Sequence, residues 1–118
     1  MALPFTPGDD LIFQLESGFG LLRVLAVEER DGQIVWHLLA YEDFFPDVET
    51  AEAALGNAAQ LGVRAAHLPL TEYAFAKTPA ARLGNRPVSE DELAAYRSWS
   101  ATGGQPFDRS ALLLLGLR

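Results

Sequence analysis

The sequence predicts an α+β fold: a small, strongly bent antiparallel sheet with about two helices packed on it. Three observations carry this expectation. Between Asp10 and Tyr41, apolar strand-like segments are broken only by tight-turn signals. Ser89-Glu90-Asp91-Glu92 opens a helix with a capping box, in which side chains satisfy the first backbone N–H groups. The chain has 118 residues, 49% hydrophobic and 21% charged, which suits one domain, residues 1–118, with a core of its own.

The elements follow in order. Pro7-Gly8-Asp9 reads as an opening turn, and Asp10 to Glu16 as a strand with Leu11, Phe13 and Leu15 on one face. Ser17-Gly18 punctuates, and Gly20 is read as a second backbone accommodation such as a bulge. Leu21 to Glu28 and Gln33 to Tyr41 are strands joined at Arg30-Asp31-Gly32, where Asp-Gly supplies the positive φ of a tight hairpin. Both are apolar on alternate residues of either face, so they are central, covered by sheet curvature on one side and by a helix or second subunit on the other. Glu42 to Val48 is a loop, and Thr50 is read as the cap of a short helix ending before Gly56-Asn57. Val63 to Leu70 is a fourth strand, with Pro69 placing it at an edge or marking its end. Thr71 to Lys77 is either one helical turn or irregular, and Ala81 to Leu83 is a short strand. After Ser89 a helix runs to about Ser100, with Val88 and Leu93 spaced as a hydrophobic staple and Leu93, Tyr96 and Trp99 along one stripe. The leucine-rich tail from Ser110 to Arg118 is either a closing strand or a buried terminal turn.

Composition excludes several kinds of protein. There is no cysteine, hence no disulfide, thiolate nucleophile or cysteine-ligated metal. Met1 to Pro7 has no basic region and no long apolar run, and no apolar run approaches the roughly 18 residues of a membrane span. A cytoplasmic protein is expected. Net charge is −7, with Arg23 and Arg30 the only basic residues before position 60 against eleven acidic ones. Such a balance opposes nucleic-acid binding, which needs cations to neutralise phosphates. It favours a partner that brings positive charge to the N-terminal half.

No catalytic or cofactor constellation is recognised, and none of the five serines lies in a G-x-S-x-G elbow. Gly18-Phe19-Gly20 lacks the Lys-Ser/Thr of a phosphate loop. His37 and His67 each fall in a strand and are read as satisfied by local hydrogen bonds or solvent. A metal or acid–base site is the alternative should those strands be neighbours. The candidate partner-binding residues are Glu42, Asp43, Phe44, Phe45, Asp47, Glu49 and Glu52, aromatic anchors rimmed by carboxylates. Their spacing is not that of a calcium loop. The alternative is that one or both phenylalanines tuck into the core and close the end of the sheet.

Gly8-Asp9, Leu15, Gly18-Phe19-Gly20 and Val24-Leu25, in that spacing, resemble the opening of SH3-like-barrel immunity proteins of bacterial polymorphic-toxin systems. The match covers about 18 residues. It implies an SH3-like partial barrel, no catalysis and a protein partner, the cognate toxin. The expected function is therefore a non-catalytic protein-binding module, immunity- or antitoxin-like, acting through an acidic surface without a cofactor. The alternatives are a homo-oligomeric structural domain of unknown role joined through the leucine tail and the two-sided apolar strands, and a small-molecule-binding or hydrolytic domain using His37 and His67.

Overall fold

The computed structural model describes residues 3–117. Met1 and Ala2 of the N-terminal stretch, and Arg118 of the leucine tail, lie outside them. Five strands, β1 (Asp9–Leu15), β2 (Gly18–Arg30), β3 (Gln33–Tyr41), β4 (Val63–Thr71) and β5 (Ala80–Asn85), form one open antiparallel sheet in the order β4-β3-β2-β1-β5. Two longer helices, α1 (Val48–Leu55) and α3 (Glu90–Ala101), and two short ones, α2 (Glu72–Ala76) and α4 (Ala111–Leu115), complete the α+β fold. None of the described helices is long and apolar enough to cross a membrane.

The local rules of the sequence explain most of this. Asp31 and Gly32 both take positive φ, 52° and 79°, which turns β2 tightly into β3. Long β2 serves both neighbours, pairing β1 with residues 18–23 and β3 with residues 22–30. A register shift between Val24 and Ala26 divides these roles. The two-sided apolar pattern of β2 and β3 is explained by the chain's own helices. On one face Leu22, Val24, Trp36 and Leu38 pack with Phe75 of α2 and Ala111 of α4. On the other, Leu21, Leu25, Leu39 and Tyr41 pack with Ala51 of α1, and Leu93 of α3 joins at the margin.

Four expectations need correction or completion. Gly20 is an accommodation but no bulge: it pairs with Phe13 in regular register, and a Cβ there would collide with the Phe13 ring. The bulge lies further along, at Val24/Ala26. Thr50 does not cap α1; Asp47 does, accepting from the Thr50 amide at 2.7 Å and the Thr50 hydroxyl at 2.6 Å. The leucine tail forms no strand: Ser110 caps a helical turn that Gly116 ends in the left-handed conformation at φ 71°. Its leucines alternate with nothing polar, so their pattern alone could not separate turn from strand. The undecided stretch after Thr71 is helical because the Thr71 side chain caps the Ala74 amide.

Candidate functional site: an acidic aromatic loop and a buried histidine chain

The loop after β3 is fixed at several points. The Glu42 amide donates to the Gly62 carbonyl at 2.9 Å, and the Asp43 carboxylate accepts from the Gly62 amide at 3.1 Å. Phe45 exchanges two backbone hydrogen bonds with Phe19, at 2.8 and 2.9 Å, and its ring packs beside the second core cluster. Gly18 allows this close approach: its φ is 154°, and a Cβ would stand 2.5 Å from the Phe45 carbonyl oxygen. Asp47 then caps α1, and the Thr50 hydrogen bonds hold its carboxyl below the usual range.

With both flanks anchored, the rest points outward. Phe44 is 46% exposed and Val48 40%, and Glu42, Asp43, Asp47, Glu49 and Glu52 are all exposed. No ion pair among the described residues involves any of these five carboxylates. The seven expected residues thus share one surface, except that Phe45 is the anchor and Phe44 the exposed ring. Asp43 and Asp47 have structural duties as well. The arrangement sets an exposed ring among carboxylates that have no ion-pair partner among the described residues.

The histidines occupy a different place. His37 and His67 lie on adjacent strands, and the hydrogen bonds expected for them include one to each other. Nδ1 of His37 is 2.8 Å from Nε2 of His67, while Nε2 of His37 is 2.9 Å from a Glu28 oxygen. The ring planes are inclined by only 16° with centroids 5.1 Å apart, which, with so short an N···N contact, sets the imidazoles edge to edge. A consistent hydrogen assignment runs from His67 Nε2–H to His37 Nδ1, and from His37 Nε2–H to the carboxylate.

Helix α3 covers this chain. Tyr96 lies 4.1 Å and Trp99 5.0 Å from His37, centroid to centroid. The Tyr96 hydroxyl reaches Glu28 at 3.5 Å. The Arg30 guanidinium stands 4.7 Å over the Trp99 ring and donates to the Gly104 carbonyl at 2.6 Å. A Cβ on Gly104 would collide with the Trp99 indole. His37 is fully buried. Burial lowers its pKa, against the opposing pull of Glu28, and His67 is pushed down to about 4 by burial and by the neighbouring His37.

Glu28 is the member that alternation along β2 hides. Before the bulge, Leu21, Arg23 and Leu25 face α1 and α3; after it, the phase shifts and Glu28 joins His37 on that face, while Val27 is left 37% exposed. Tyr96 and Trp99, by contrast, are legible as a helical stripe. Because both His37 nitrogens are engaged, the chain does not converge on a vacant point. Among the described residues no group of three His, Asp or Glu could hold a metal ion.

A second polar network joins β1, β2 and the start of α3. Fully buried Arg23 pairs with Glu92 and, at 3.3 Å, with Asp10, and donates to the carbonyls of Gly8, Arg86 and Pro87. Arg86 grips Asp10 through two bonds of 2.7 and 2.9 Å and reaches the Tyr41 hydroxyl. Two cations thus face two carboxylates, which makes their burial tolerable. Burial works to raise the Glu92 pKa, but hydrogen bonds from Arg23 and the Ser89 amide outweigh it and hold the group low.

Fold and sites together define a small α+β domain with an anchored acidic loop and a hydrogen-bonded histidine chain beneath α3. No protein-family model, curated protein or solved structure matches the chain.

Proposed function

We propose that this domain is a non-catalytic protein-binding module of the immunity or antitoxin kind, acting in a bacterial cytoplasm. Its binding surface is the loop from Glu42 to Glu52. The observation that carries the reading is the division of labour between two adjacent rings: Phe45 is bonded to Phe19, so Phe44 is presented outward on an anchored loop among five carboxylates. A loop backbone held in this way loses little conformational entropy on binding, and the surrounding charge steers a basic partner toward the exposed ring. The mechanism is occlusion: the acidic surface covers a cationic cleft on the partner.

The test is calorimetric titration against the product of the adjacent open reading frame, at two salt concentrations. Phe44→Ala is expected to weaken binding on the order of 10–100-fold, as loss of a central aromatic anchor does. Glu49→Lys with Glu52→Lys should weaken it further and flatten the salt dependence. These two positions are preferred to Asp43 and Asp47, whose side chains also hold the loop and α1. Unchanged affinity and salt slope in both variants reject the reading.

One observation favours a second reading. The Glu28–His37–His67 chain leaves His67 Nδ1 as the accepting end of a carboxylate-oriented relay, as a general base would require. Against it, no hydroxyl among the described residues hydrogen-bonds to His67. A hydrolase assay on model esters, comparing the natural chain with His67→Ala, decides between the two.

A further inference from the structure

Helix α3 is lightly embedded. It contains no buried residue, whereas the shorter α2 buries Ala74 and Phe75. Its two ends are held by different chemistry. The N-terminal end has the capping box, the Arg23–Glu92 ion pair and Leu93 against the core margin. The C-terminal half rests through Tyr96 and Trp99 on the histidine pair, with Arg30 reaching across to Gly104.

The bond between the imidazoles contains one hydrogen. A proton added at His67 Nδ1 leaves that bond intact. A second added proton sets N–H against N–H, and the 2.8 Å contact is lost. The closed arrangement therefore holds at most one extra proton, whereas two separated imidazoles in water hold two below their ordinary pKa of about 6.5. The groups facing the pair do not alter this count. From β2, Glu28 accepts from His37 but is also paired with Arg30 at 3.6 Å, and the Arg30 charge opposes protonation of the pair. From α3, Tyr96 has its pKa raised by burial and then by Glu28, so it remains neutral, and Arg97 is paired with Glu90 at 3.1 Å.

We propose that the Glu28–His37–His67 chain is an acid-opened latch, which holds the C-terminal half of α3 on the sheet at neutral pH and releases it on acidification. Release separates Tyr96 and Trp99 from the imidazoles, while the capped, ion-paired start of the helix stays in place. The proposal concerns a region apart from the acidic loop and does not depend on the docking reading. The open form binds at least one more proton, so the ratio of open to closed rises about tenfold per pH unit for each such proton as pH falls below about 6.5. Burial lowers both imidazoles in the closed form, His67 to about 4, so the window opens as pH falls below the ordinary imidazole value.

Amide hydrogen exchange on the natural chain between pH 7.5 and 5, corrected for intrinsic rates, is the test. Amides from Arg97 to Gly104 are expected to lose at least about tenfold in protection while those of Trp36 to Leu39 in β3 keep theirs. His67→Asn retains a donor toward His37 but takes up no proton, and should lose most of this response. His67→Phe, which keeps a ring beneath Tyr96, should lose it too. The latch is rejected if α3 and β3 lose protection together, if both His67 variants keep the natural pH response, or if Glu92→Gln abolishes it instead.

Discussion

On one face of the sheet, Trp36, Leu22, Leu38 and Leu70 meet Phe75, and the buried carboxylate of that face, Asp9, sits at the start of β1. On the other, Leu21, Leu25 and Leu39 share their layer with Asp10, Arg23 and His37, each at least 98% buried. Both faces are covered by two helices, yet they are held differently. The first depends on area removed from water and tolerates adjustment of shape. The second depends on each donor finding its acceptor, so its stability changes with pH and its geometry is more tightly specified. The apolar face also contains two buried polar atoms without a hydrogen-bond partner, Trp36 Nε1 and Thr78 Oγ1, where the polar face leaves none among the described residues.

The largest test of this contrast is Trp36→Ala. It removes the broadest ring of the apolar layer and should cost about 3–5 kcal/mol in denaturant unfolding. A loss below about 1 kcal/mol would show that the layer is not packed around that ring. Next is Arg23→Leu, expected to cost about 3 kcal/mol because Asp10 and Glu92 lose a buried cation. Adding Glu92→Leu should recover part of that loss. Equal cost in the single and double variants would mean that pairing does not hold this face.

A smaller effect should come from pH, because His67 is only half-buried and solvent screens its charge. The histidines have lowered folded pKa values, so the unfolded chain binds more protons between about pH 6.5 and 4, and stability falls as pH falls through that range. Glu92, Asp9 and Asp47 are also lowered and act in the same direction further down, their stabilisation being lost below their ordinary values of 4.5 and 3.8. Thermal midpoints from pH 8 to 3.5 should therefore decline in two stages, and His67→Asn should flatten the first. The smallest expected change is Thr78→Val, within about 0.5 kcal/mol of the natural chain or slightly stabilising, since the buried hydroxyl has no partner to lose.

The comparison also explains which parts could be read in advance. Features set by near neighbours were legible: the Asp31-Gly32 turn, the Ser89 box with Glu92, and the Val88–Leu93 staple, both of whose residues pack beside the second cluster. The acidic loop was legible as a surface, because its carboxylates and Phe44 stand next to one another in the chain. Which ring would be the anchor was not, since Phe45 is fixed by Phe19, far away in sequence. The polar face was the least legible. Arg23 sat in an apolar run with no hint that Asp10, Arg86 and Glu92 would surround it. The histidine chain required both the β3–β4 register and the one-residue phase change at Val24/Ala26. Neither quantity is encoded by the residues that form the contact.

Gly104 allows the polar face to be probed without altering any of its titrating groups. Its missing side chain leaves room for the Trp99 indole, which in turn lies beneath Arg30. One methyl group at this point, Gly104→Ala, would act as a wedge under the indole, prying the end of α3 outward at neutral pH. The proposed latch would then stand open at pH 7.5, with its carboxylates and imidazoles all still in place.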